Sequence, residues 1–94
     1  MNDEVKHSKE KQLFFIDIGN QRAELKYFME TENVMNVMNT YVPDSLRGKG
    51  IAGKLVEECL HYAKENSCRI IPSCSYVYSY IKKHPEFEAM LLNE

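Results

Sequence analysis

Leu46-Arg47-Gly48-Lys49-Gly50-Ile51-Ala52-Gly53-Lys54 contains three of the chain's four glycines. An apolar run rich in β-forming residues lies before it, and a stretch of helical periodicity comes after. Glycine has no Cβ, so its backbone enters conformations closed to other residues and approaches a ligand closely. A helix that starts there directs unpaired amides and the positive end of its dipole outward. A loop of this composition opening a helix is an anion site, and the first expectation is a phosphate.

Two phosphate motifs fit the string but fail in its surroundings. Gly48-Lys49-Gly50-Ile51-Ala52-Gly53 matches the dinucleotide pattern G-x-G-x-x-G. An acidic residue should stand about 20 residues on to hold a ribose, and the chain there reads Ser67-Cys68-Arg69-Ile70-Ile71-Pro72. Gly48 to Lys54 also matches the first seven positions of G-x-x-x-x-G-K-[ST]. The eighth is Leu55, which has no hydroxyl for magnesium.

Downstream, Ala52, Leu55, Val56, Cys59, Leu60 and Ala63 fall on one helical face, with Lys54, Glu57, Glu58, His61, Lys64 and Glu65 on the other. Asn66-Ser67 ends that helix. Residues 69–74 then read as a strand interrupted at Pro72, which has no N–H for a ladder. A strand, helix, strand unit of this length implies parallel pairing. Val77, Tyr80 and Ile81 mark a second helix over 76–84, ended by Pro85, and 87–92 form a short amphipathic tail expected to pack back on the sheet.

Upstream, Leu13 to Ile18 is a short strand ending at the turn Gly19-Asn20. Residues 22–29 alternate, placing Ala23, Leu25, Tyr27 and Met29 on one buried face. A turn over 30–33 leads to a third strand, Val34 to Val42, stopped by Pro43-Asp44-Ser45. The expected fold class is α/β (α+β): a three-stranded antiparallel meander, then a helix, a parallel fourth strand and a C-terminal helix. Residues 1–12 are almost all polar and read as a flexible arm before one domain, 13–94.

With 94 residues there is room for one modest core. The net charge of −2 gives no basic excess of the kind that draws nucleic acid, so no nucleic-acid partner is expected. The opening residues lack a signal peptide's apolar core, and no run of about 18 apolar residues could span a membrane. The expectation is a cytoplasmic protein with no membrane partner. Cys59, Cys68 and Cys74 are odd in number and lack C-x-x-C spacing, so neither a disulfide framework nor a metal site is indicated.

Arg47-Gly48-Lys49-Gly50-Ile51-Ala52 fits a third pattern, R/Q-x-x-G-x-G/A, and here the neighbouring elements agree. The chain resembles the GNAT acyltransferases, in particular their very short single-domain branch. That resemblance spans roughly residues 13–90 and rests on two runs: Val42 to Ala52, and Ile71-Pro72-Ser73-Cys74-Ser75-Tyr76 with Tyr80 to Glu86. It implies an N-acetyltransferase that binds acetyl-CoA, the loop holding the pyrophosphate, with an unidentified small-molecule or protein amine as acceptor. The oligomeric state stays open.

Carried onto this sequence, the resemblance makes Val42, Arg47, Gly48, Lys49, Gly50, Ile51, Ala52, Gly53, Lys54, Cys74 and Ser75 the residues expected to bind the cofactor. It also implies that the third and fourth strands splay, placing the thioester near residues 40–42 and near Ser73 and Cys74. Cys74 precedes a helix whose dipole favours a thiolate, so it is a candidate nucleophile. The resemblance also makes Tyr80, seven residues after Ser73 and so spaced like the tyrosine that protonates the leaving CoA thiolate in larger GNAT enzymes, a candidate acid. Each has a plainer alternative, a small cleft-lining thiol and a core tyrosine with a wet tip. One departure stands out. The short branch commonly has His-Thr-x-Val on the third strand, and this chain has Asn39-Thr40-Tyr41-Val42. Asparagine hydrogen-bonds but is no base near neutral pH, which leaves a CoA-binding module or autoacylation of Cys74 as alternatives. A plain interaction domain is a further class.

Overall fold

Five strands form one sheet in sequence order in the computed structural model, which describes residues 4–92. They are β1 (Lys6–Ser8), β2 (Leu13–Ile18), β3 (Gln21–Thr31), β4 (Val34–Tyr41) and β5 (Arg69–Pro72). The helices are α1 (Ile51–Glu65) and α2 (Ser75–Lys83), with 3₁₀ turns at Asp44–Leu46 and Pro85–Met90. β1 to β4 are antiparallel neighbours, and β5 joins β4 in parallel after the α1 crossover. The meander, helix and parallel strand come in the expected order.

The strand before β2 is a correction. The expected arm over 1–12 lies outside the described residues at 1–3, but Lys6–Ser8 pairs with Phe15, Phe14 and Leu13 as an edge strand. One side chain provides most of the reason. His7 stacks on Phe14 with ring centroids 3.9 Å apart and meets the Tyr27 hydroxyl at 2.6 Å, while Tyr62 of α1 packs edge-on at 4.5 Å. Burial pushes the His7 imidazole below its ordinary pKa, helped by the charge on Lys9. The same burial pushes Tyr27 up to about 12.

The alternation read in the sequence sets the core. Phe14, Ile16, Ala23, Leu25, Tyr27, Met35, Val37 and Ile70 face the helices, where Leu55, Val56, Cys59, Leu60 and Ala63 of α1 and Val77 and Ile81 of α2 cover them. Burial of this contiguous apolar surface is the principal stabilising term. The expected tail also packs back: Phe87 and Met90 are buried, and Leu92 donates to the Ile70 carbonyl at 2.9 Å.

A bulge in β4 sets which side chains reach the helix side beyond it. Lys26 pairs with Asn39 and Tyr27 with Val37, so Met38 is an extra residue on β4. An inserted residue reverses the side-chain alternation beyond it. Met35 and Val37 point inward before the bulge, and Thr40 does so after it, opposite Leu25. Asn39 is left exposed on the face away from the helices.

Candidate functional site

β4 and β5 part company at the Val37–Pro72 pair, their last registered position. Pro72 has no donor to continue the ladder. Ser73 instead donates to the Ile71 carbonyl at 3.1 Å and Cys74 to the Val37 carbonyl at 3.1 Å, which turns the chain into α2 while β4 runs on to Tyr41. The strands therefore diverge.

A cavity of about 360 Å³ opens on the helix side of this divergence. Thr40 and Val42 form its β4 wall, and Tyr76 of α2 closes another side. The rest is the glycine-rich stretch: Leu46, Arg47, Gly48, Gly50, Ile51, Ala52 and Gly53. Gly50 caps α1 in a left-handed conformation, φ 76° and ψ 14°, and Gly48 has φ 81°. A Cβ built at either would meet nothing within 4 Å. These glycines answer to backbone conformation, not to crowding. Among the described residues no side chain caps α1, and its first turn holds no acidic residue, so the amides of its opening turn keep their donors for a ligand. That donor set suits an anion.

The expected residues divide. Val42, Arg47, Gly48, Gly50, Ile51, Ala52 and Gly53 line the cavity, whereas Lys49, Lys54, Cys74 and Ser75 do not. The Arg47 guanidinium is held by the Val42 carbonyl at 3.2 Å and by Asp44 at 3.4 Å. Lys54 faces a separate depression with Glu57 and Glu58. Cys74 sits at the edge, half-buried, its Sγ 3.6 Å from the Thr40 hydroxyl.

Tyr80 falls outside the cavity, in a neighbouring depression with Ser75, Ser79, Lys83 and His84. Its ring stacks on His84 at 4.0 Å, and burial, then Glu57, raises its pKa. The tyrosine that reaches the cavity is Tyr76, whose hydroxyl lies 3.7 Å from where a Gly53 Cβ would stand. Sequence reasoning gave no site role to Leu46 or Tyr76, and reached Thr40 only through the resemblance, which set the thioester near residues 40–42. Thr40 is turned inward by the bulge, which no motif announces. Leu46 is an apolar residue in a polar loop, and Tyr76 an aromatic in a helix's first turn, both readable signals. Cys59 is buried against Met35, its Sγ 3.6 Å from the sulfur, and burial raises its thiol pKa as it does that of Cys68. Among the described residues no cluster of His, Cys, Asp or Glu could hold a metal ion, and no helix is long and apolar enough to cross a membrane.

The sequence profile of the GCN5-related N-acetyl-transferase family matches residues 13–90. The chain belongs to this family. Protein NATD1 of Gallus gallus is 29% identical over 84 residues, 87% of this chain and 76% of that protein. Protein NATD1 of Homo sapiens is 29% identical over 83 residues, covering 86% and 74%. The NMR solution structure of a GCN5-like putative N-acetyltransferase from Staphylococcus aureus superposes with a TM-score of 0.76 at 32% identity, over 99% of this chain and 91% of that one. The sheet with its two helices is thus a GNAT-like fold, with one edge strand more than the sequence led us to expect. Asn39 is exposed beside the bulge and contributes nothing to the cavity wall.

Proposed function

We propose that this GNAT domain binds acetyl-CoA along the glycine-rich stretch and transfers the acetyl group to an amine. The observation that carries this is the uncapped, glycine-entered N-terminus of α1 opening into the same cavity that ends at the β4–β5 divergence. The opening amides of α1 and Arg47 would hold the pyrophosphate, and Gly48 and Gly50 keep that wall free of side chains. When bound, acetyl-CoA supplies a thioester with an electrophilic acyl carbon. Thr40 and Cys74 mark the end of the cavity where the strands part, and Tyr76 brings its hydroxyl to the α1 wall beside Gly53. Tyr80, whose hydroxyl pKa is raised by burial, stands outside the cavity and takes no part in this reading.

Calorimetric titration with acetyl-CoA, followed by assay of released CoA thiol with a panel of primary amines, tests the proposal. Binding with turnover supports it, and absence of heat contradicts it. The contact between Cys74 Sγ and the Thr40 hydroxyl favours a second reading, in which Cys74 itself accepts the acetyl group. Intact mass after incubation with acetyl-CoA separates the two, because only autoacylation adds an acetyl mass that is absent in Cys74→Ser.

A further inference from the structure

Acetyl-CoA is larger than the cavity that opens at the glycine-rich stretch. A cleft of about 360 Å³ is near the lower end of the roughly 300–1,000 Å³ that take a drug-sized ligand. Beyond its pyrophosphate the cofactor still carries an adenosine with a 3′-phosphate. Two depressions adjoin the opening turns of α1. One, of about 340 Å³, is lined by Glu4, Val5, Lys54, Glu57 and Glu58, which sets three carboxylates against one ammonium. The other, of about 510 Å³, is lined by Ser75, Tyr76, Ser79, Tyr80, Lys83 and His84, with no carboxylate in its lining. A phosphate is repelled by the first and accepted by the second.

The second depression joins the cofactor cavity directly, because Tyr76 lines both. Gly53 belongs to the cavity wall, and a Cβ built on it would stand 3.7 Å from the Tyr76 hydroxyl and 4.0 Å from Tyr80 Cε2. The α2 tyrosines therefore abut the glycine wall, and Ser75, Ser79 and Lys83 run beside them at helical spacing of four. A helical side chain leans toward the N-terminus of its helix, so Lys83 reaches back over the turn that holds Ser79. The two lysines that end α2 differ. Lys82 Nζ donates to Glu88 Oε2 at 2.6 Å, whereas Lys83 has no hydrogen bond or ion pair with any described residue. His84 donates its Nδ1–H to the Tyr80 carbonyl at 2.7 Å and stacks on the Tyr80 ring, which fixes the two rings as a flat side of the depression. Burial first, then Glu57, Tyr76 and Glu86, raise the pKa of Tyr80. Negative charge already acts on that hydroxyl, so Tyr80 contributes its ring and the phosphate belongs at the Lys83 end.

We infer that this face of α2 holds the 3′-phosphate of the cofactor, paired with the Lys83 ammonium and hydrogen-bonded by the Ser79 hydroxyl, and that the protein thereby selects CoA over its dephospho form. This rests on the acetyl-CoA reading above and extends it to the part of the cofactor that the glycine-rich cavity is too small to enclose.

The test titrates the full chain calorimetrically with CoA and with dephospho-CoA, which differ only in the 3′-phosphate. The wild-type chain should bind CoA about 5- to 10-fold more tightly, the value of charge-assisted contacts at an exposed site, and the ratio should shrink as salt is raised. Lys83→Gln should bring the ratio close to one by weakening CoA alone, Ser79→Ala should lower it about 3-fold, and Lys83→Arg should keep it. Lys82→Gln removes a lysine already engaged by Glu88 and should leave the ratio unchanged. Amide shifts that differ between the CoA and dephospho-CoA complexes should concentrate at residues 79–84 and spare residues 48–53. Equal wild-type affinity for the two ligands, or a Lys83→Gln variant that weakens both alike, overturns the inference and leaves the cofactor reading standing. Failure of the wild-type chain to bind either ligand overturns that reading, and this inference with it.

Discussion

Gly50 and Gly53 stand three residues apart, yet alanine should move stability in opposite directions at the two positions. Gly50 has φ 76°, and a Cβ there meets no atom within 4 Å, so the whole cost of Gly50→Ala is backbone strain. A left-handed L-residue costs about 1–2 kcal/mol, partly offset by about 0.5 kcal/mol from a less flexible unfolded chain. The net loss is about 1 kcal/mol. Gly53 is helical without positive φ, and its added Cβ would sit 3.7 Å from the Tyr76 hydroxyl and 4.0 Å from the Tyr80 ring, ordinary contact distances. Gly53→Ala therefore gains about 0.5–1 kcal/mol of helix propensity. For a chain of 94 residues each kcal/mol shifts the thermal midpoint by about 4–8 °C. Thermal melts by circular dichroism should show Gly50→Ala lower than the parent and Gly53→Ala higher. The added methyl at Gly53 lies on the cavity wall, so the more stable variant should bind acetyl-CoA more weakly. Midpoints moving in the same direction would refute the conformational reasoning.

Four further outcomes are expected from the same contacts. His7 titrates below 6.5 when folded, so the unfolded chain takes its proton more readily; stability is full above that value and is lost as pH falls through the interval below it. His7→Phe keeps the stacking on Phe14 and should flatten the change in melting midpoint between about pH 7 and about pH 5.5, and an unaltered slope would place the titration elsewhere. Leu60→Ala, at a position with no exposure, should cost about 2–5 kcal/mol in urea unfolding, with the larger figure if the cavity does not collapse. Tyr76→Ala should weaken acetyl-CoA binding because Tyr76 lines the cavity, whereas Tyr80→Phe should leave it unchanged; the reverse ranking would return the site role to Tyr80. Cys74→Ser should retain acetyl-CoA affinity, since Cys74 touches Thr40 at the cavity's edge and not the glycine wall; a large loss of affinity would move the cofactor toward α2.

The features legible in the sequence were those that depend on local periodicity. Leu55, Val56, Cys59, Leu60 and Ala63 repeat at helical spacing and form the buried face of α1, with Ile51 in place of the expected Ala52 at its start, and the alternation of Ala23, Leu25 and Tyr27 defines the inner face of β3. Pro72 signals the interrupted ladder that parts β4 from β5. The losses came where one tertiary contact overrides composition. β1 has a polar sequence, and only the docking of His7 on Phe14 and Tyr27 makes it a strand. The β4 bulge at Met38 leaves no mark in the alternation, yet it decides that Thr40 and not Asn39 faces the cavity. Tyr76 and Tyr80 are one helical turn apart, and the resemblance to larger GNAT enzymes favoured the one that packs on His84 over the one that lines the cavity.

Backbone amide shifts recorded by NMR while acetyl-CoA is titrated test most directly whether the glycine-rich stretch and the β4–β5 divergence form one cofactor site. A single site predicts the largest shifts at Gly48, Gly50, Ile51, Ala52 and Gly53, with a second group at Thr40, Cys74 and Tyr76. Shifts that avoid residues 48–53, or no shifts at saturating acetyl-CoA, would contradict it.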